Sequence, residues 1–156
     1  MWWALALACA PDPEPPPCED LAAPELQLTP AGVEFGAFVD GGPLLYGTPP
    51  QGGAPYSPFN ARAAGLVDLD EGAHVEMWAV DAQDGAELGS AGYDLRFVCA
   101  NVGEAAGWWV GSELHLRFDG WELDELEGRV AEVVVEVADP GGATVSARLS
   151  GLLTPM

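Results

Sequence analysis

The 156-residue chain predicts an all-β fold, a single antiparallel β-sandwich of about seven or eight strands over residues 25–153. Three observations carry this. Short apolar runs alternate with polar residues at a period of two, and Gly, Pro and Asp-Gly punctuate them. No segment sustains helical periodicity over three turns. Apolar residues make up 49% of the chain, enough for one packed core at a length that hardly allows two.

The clearest element lies near the C-terminus. Residues 129–138 (RVAEVVVEVA) place Ala131, Val133, Val135 and Val137 on one face, and Glu132, Val134 and Glu136 on the other. Asp139-Pro140-Gly141-Gly142 is a tight turn, with Pro favoured at its second position and Gly free to take positive φ. Residues 143–149 then return with Val145, Ala147 and Leu149 inward. Together they predict a β-hairpin.

Residues 108–118 put Leu114, Leu116 and Phe118 on one face, opposite Glu113, His115 and Arg117. Residues 91–100 read as one strand with Tyr93, Leu95, Phe97 and Cys99 in a shared phase. Residues 73–82, largely apolar on both faces, predict a central strand. Residues 26–29, 33–38 and 60–67 are weaker strand candidates.

The N-terminus reads as an address. Residues 1–8 form an apolar signal segment ending in Ala8, too short to span a bilayer. Residues 9–24 follow as a Pro-rich, acidic tether, semi-extended because proline disfavours anything else. The segment Ala6-Leu7-Ala8-Cys9 resembles the lipobox of bacterial lipoproteins, although its usual Leu is displaced by one position. That resemblance implies lipidation of Cys9, a membrane partner through the lipid anchor, and an exported protein of the bacterial cell envelope or periplasm. With Cys9 so used, Cys18 and Cys99 remain as an even pair in an oxidising compartment. Their expected state is a disulfide; the alternative is two separate thiols.

The formal charge is −20 and there is no Lys. An envelope of that sign repels phosphate backbones, so nucleic acid is excluded as a partner. The closing hairpin, VEVADPGGATVSARL, resembles the last strands of immunoglobulin-like and fibronectin-type-III-like modules of bacterial surface proteins. The resemblance implies an immunoglobulin-like topology and says nothing of ligand. Cys18 precedes the first strand, unlike the facing cysteines of antibody-type domains.

Chemistry-bearing patterns are few. Asp119-Gly120-Trp121-Glu122-Leu123-Asp124-Glu125-Leu126-Glu127-Gly128 holds five carboxylates without the ligand spacing of a Ca²⁺ loop. Leu123 and Leu126 suit a short helical crossover instead. Trp109 and Trp121 are the candidate ligand platform, beside Tyr56 or Phe59. Trp109 faces outward if the alternation of Leu114 and Leu116 runs unbroken, whereas a bulge at Gly111-Ser112 would reset it. The two histidines stand apart from the cysteines and from each other, and no nucleophile, phosphate-loop or metal motif occurs. No catalytic residue, metal ligand or cofactor is expected. The sequence therefore predicts a noncatalytic binding or adhesion module for an unidentified protein or carbohydrate; the alternative is a structural spacer or accessory subunit of an envelope assembly.

Overall fold

A computed structural model of the chain describes residue 18 and residues 23–156. Its strands are β1 (Glu25–Pro30), β2 (Pro43–Tyr46), β3 (Tyr56–Ala64), β4 (Ala73–Asp81), β5 (Glu87–Leu95), β6 (Val98–Cys99), β7 (Trp109–Arg117), β8 (Val130–Ala138) and β9 (Thr144–Pro155). Among the described residues one short α-helix, α1 (Leu123–Leu126), crosses from β7 to β8, and a 3-10 turn covers Gly103–Ala105. Hydrogen bonding follows a single path, β1-β3-β7-β5-β4-β8-β9-β2, with β6 added beside β7. Every neighbouring pair is antiparallel except β2 on β9. The expected two-sheet sandwich does not separate cleanly. The strands curve instead into one mostly antiparallel, nearly closed barrel.

Closure comes from an interrupted first strand. β1 lies antiparallel on β3, from Glu25↔Ala64 to Pro30↔Phe59. The chain then loops through residues 31–42 and resumes in the same direction as β2. β2 lies parallel to the end of β9, and Gly47 bridges to Tyr56 at the start of β3. β1 and β2 thus share the gap between β3 and β9.

Residues 33–38, a strand candidate in the sequence, are a run of turns. Gly32 and Gly36 adopt φ of +84° and +82°, which reverse the chain, and the Thr29 hydroxyl donates to the Val33 carbonyl at 3.2 Å. β2 escaped sequence reading because its four residues sit among Gly and Pro.

The interior is lined from every strand. Ala131, Val133, Val135 and Val137 of β8 are all fully buried, in the predicted phase. Each such valine contributes about 1.5–3 kcal/mol relative to exposure. The turn at Asp139 forms as expected, Gly142 N–H donating to the Asp139 carbonyl at 2.9 Å. β4 is central, paired with β5 and β8, but its outer face is open. His74, Glu76 and Trp78 all point to solvent there, so the expectation of two apolar faces is corrected.

The strand expected over residues 91–100 begins earlier and then breaks. β5 starts at Glu87, runs to Leu95, and the chain leaves the sheet at Arg96 before β6. Phe97 keeps its inward phase and packs over Gly111, where an added Cβ would approach the Phe97 ring to 2.7 Å. This departure splits the barrel wall. β5 and β7 meet at one register pair, Ser90↔Arg117, while β6 takes β7 at Trp109 and Val110.

Candidate functional site

Trp109 is not a surface platform. It is 4% exposed, and its indole N–H donates to the Leu66 carbonyl at 3.1 Å. The cause is a bulge in β7. Phe59 pairs with Leu114 and Ala61 with Gly111, so β7 carries one residue more than β3, and Glu113 takes φ of +60°. The extra residue turns Trp109 inward and leaves Trp108 half-buried. Trp108 is itself covered: the Arg62 guanidinium stacks 4.7 Å from its ring and 4.8 Å from Phe35. Arg62 Nε also donates to Gln27 Oε1 at 2.8 Å. Phe59, at full burial, is core.

Trp121 is half-buried, with one face taken. Arg129 stacks on it at 4.6 Å, donates from Nε to the Glu125 carbonyl at 2.7 Å, and from Nη1 to Asp81 Oδ2 at 2.7 Å. Asp81 is 3% exposed, and the Gln83 backbone N–H and the Arg129 guanidinium hold its carboxyl below the usual range. The acidic stretch around Trp121 is a helical crossover: Glu122 and Glu125 form a reciprocal capping box, and Leu126 is fully buried. Leu123, its expected partner on the apolar face, stays partly exposed.

Trp121 also borders a groove of about 390 Å³ shared with Thr48, Gly53, Ala54 and Leu123. On the other side of the 49–54 loop lies a second groove of about 410 Å³, walled by Pro49, Pro50, Tyr56, His115 and Arg117. A turn fixes that loop, the Gly52 N–H donating to the Pro49 carbonyl at 2.8 Å. Tyr56 and His115 lie on the outer faces of β3 and β7 with ring centroids 4.7 Å apart. Arg117 bonds Asp119 at 2.9 Å. Loop 49–54 is thus a ridge between two aromatic-walled depressions. Trp121 is legible in the sequence as a candidate; His115 and Arg117 show there only as an outer strand face, and no signal links them to the loop.

His115 and Arg117 line a third groove, of about 440 Å³, along the β5–β7 split with Gly92, Glu113 and Asp119. Tyr93 reaches into the split from inside. Its hydroxyl donates to Met77 Sδ at 3.4 Å and is hydrogen-bonded by the His115 backbone, and burial pushes its pKa up to about 12.

The other histidine stands on the open face of β4. His74 Nδ1 is 3.0 Å from Asp94 and Nε2 is 3.1 Å from Glu76, and these hydrogen bonds, Asp94 first, raise its pKa. Both ring nitrogens are occupied by carboxylates, which leaves neither directed at a nucleophile. Among the described residues no group of three His, Cys, Asp or Glu side chains is placed to hold a metal ion.

Cys18 and Cys99 are joined by a disulfide, with Cα atoms 5.8 Å apart. Cys18 is buried against the core, at the β6 end of the split. Cys9, the signal segment and most of the tether lie outside the described residues. No helix among the described residues is long and apolar enough to cross a membrane. Compared with protein-family models, curated proteins and solved structures, the chain matches none of them.

Proposed function

We propose that this chain is a noncatalytic binding or adhesion module of the cell envelope, lipid-anchored through Cys9 and immunoglobulin-like in topology. The observation that carries the binding reading is the pair of grooves on either side of loop 49–54, one walled by Tyr56 and His115 and the other by Trp121. Aromatic walls with few fixed charges suit stacking on a sugar ring or on a partner's apolar side chains. The topology reading is supported by strand order. The groups β1-β3-β7 and β5-β4-β8-β9-β2 are tied along the strand path by the single pair Ser90↔Arg117, the grouping expected of an immunoglobulin-like sandwich with a divided first strand. Export is supported by the Cys18–Cys99 disulfide, which persists in an oxidising compartment.

Calorimetric titration of the protein with oligosaccharides and extended peptides tests the binding reading. Tyr56→Ala and Trp121→Ala should each weaken a genuine ligand, while the unfolding transition stays cooperative. A ligand indifferent to both variants overturns it. Intact mass and detergent partitioning of the native product test the anchor, and a soluble product retaining Met1 overturns that part.

One observation favours the spacer reading. The exposed apolar side chains Val39, Val67, Val98 and Val102 lie on loops and a short strand and line neither of the two grooves beside loop 49–54. A chain that binds nothing in the titrations would fit it.

A further inference from the structure

We infer that the split between β5 and β7 is a docking edge for an extended, basic peptide segment of another protein. This rests on the binding-module reading and supplies it with a second site and a partner chemistry. The argument starts from backbone accounting. Residues 91–95 of β5 pair with β4 on one side, and residues 111–116 of β7 pair with β3 on one side. Among the described residues the two strands share only Ser90↔Arg117, so between that pair and β6 their facing edges have no ladder. Apart from the His115 backbone, which the Tyr93 hydroxyl takes, backbone polar groups at such an edge bond water until another strand arrives.

Side chains leave that edge accessible. Ser90, Gly92 and Asp94 form the outer face of β5, and all three are exposed. Gly92 contributes no bulk, and the groove runs past it between Leu95 and Asp119. A continuation of about 280 Å³ extends along Glu87 and Gly89. The groove therefore follows a strand direction, the shape that strand addition uses.

Charge selects the occupant. Glu113 and Asp119 line the groove, Glu87 stands at its end, and Asp94 flanks it beside His74. Its one arginine, Arg117, is already bonded to Asp119 at 2.9 Å. A peptide with Lys or Arg at alternate positions would place cations against these carboxylates while its backbone pairs with β5. A second copy of this chain is disfavoured, since it brings another −20. The chain's own residues 11–17 are acidic and rich in proline, which cannot donate to a ladder.

The probe is a labelled peptide alternating Lys and Val, titrated into the full chain and followed by anisotropy and by amide exchange. Binding should weaken as salt rises, fail for the Glu-Val counterpart, and vanish when alternate peptide nitrogens are methylated. Amides of residues 91–95 should slow on binding. Gly92→Val narrows the groove that Gly92 lines and should weaken binding severalfold without unfolding the protein, because a Cβ there meets only Glu76 Oε1, at 3.8 Å. Glu113→Asn keeps a residue tolerant of positive φ and should weaken binding about threefold, the scale of one exposed charge pair. Equal binding of basic and acidic peptides, unchanged binding by Gly92→Val, or no binding at all overturns the proposal. So does protection of residues 91–95 that grows with protein concentration in the absence of peptide, which would assign the edge to a second copy. Peptide binding lost in Trp121→Ala but kept in Gly92→Val moves the ligand to the loop grooves; it sinks this edge and leaves the binding-module reading standing.

Discussion

The walls on either side of β4 are built from strands of equal length and are held together very differently. β4, β5, β7 and β8 each have nine residues. β8 pairs from Ala131 to Ala138 with β4 on one side and along its whole length with β9 on the other. β5 and β7, in the opposite wall, meet at a single pair. The valine-rich β8 alternates without interruption, whereas β7 carries a bulge at Ser112-Glu113 and β5 carries small residues, Gly89, Ala91 and Gly92. Alternation thus decides which face a strand buries, while bulges and small residues decide which edges stay married. In the split wall, plugs replace the ladder: Phe97 over Gly111, the Tyr93 hydroxyl, and the disulfide behind β6.

The strongest way to break the comparison is to remove the disulfide. Replacing Cys18 and Cys99 together by Ser should cost about 4 kcal/mol in denaturant unfolding, from the closed loop's chain entropy. Exchange at β6 and β7 should accelerate more than at β8. Equal acceleration everywhere would show that the split wall is no weaker than its counterpart.

A change on the intact side comes next. Arg129→Met should cost about 2–3 kcal/mol, because it strands the buried Asp81 carboxylate and frees Trp121, with the pair's partial exposure reducing the full burial penalty. Asp81 is held below its usual pKa, so its contribution is present above pH 4 or so and is lost as pH falls through the lower folded value. The variant should therefore show a shallower loss of stability between neutral pH and strong acid. A loss as steep as the parent's would remove Asp81 from the account.

A smaller effect tests backbone strain with opposite signs in the two walls. Glu113→Gly, at φ of +60°, should stabilise by about 0.5 kcal/mol after the entropy of glycine is subtracted. Gly142→Ala, at φ of +86° in the β8–β9 turn, should destabilise by about 1 kcal/mol. Same-signed shifts in the two melting temperatures would refute the strain argument.

The smallest expected effect is at His74. Its pKa is raised by Asp94 and Glu76, so the stabilisation is complete below its unfolded value near 6.5 and disappears as pH rises through the higher folded one. The group is about half exposed, so the slope should be slight. His74→Gln should flatten it, read from unfolding midpoints between pH 5 and 9.

Much of this was legible in the sequence where pattern and turn chemistry agreed. The β8–β9 hairpin, its turn and its inward valines follow from alternation and Asp-Pro-Gly-Gly. Cysteine arithmetic makes Cys18 and Cys99 partners only once Cys9 is set aside, and leaves separate thiols open; the helical crossover follows from the spacing of its leucines, although only Leu126 is buried. Less legible were features set by long-range pairing. Residues 33–38 alternate like a strand yet turn, because Gly32 and Gly36 dominate locally. β2 has only four residues and is defined by β9, far along the chain. Trp109 hinged on whether β7 bulges; the Gly111-Ser112 signal was present, but the sequence could not choose between the two phases. The grooves beside loop 49–54 required β3 and β7 to bring Tyr56 and His115 together, which no local pattern encodes.

The interrupted first strand sets an order for biogenesis. β1 finds its partner in β3 soon after both have been synthesised, through a connection of modest length. β2 lies between them in the chain, yet its ladder is with the end of β9, Pro43 against Leu152 and Tyr46 against Pro155. A nascent chain can therefore form its early hairpins while β2 still waits at the ribosome for the final strand. During that interval Leu44 and Tyr46, fully buried in the finished barrel, stand without cover. Secretion in an unfolded state would avoid the wait, since the whole chain then reaches its folding compartment before closure begins.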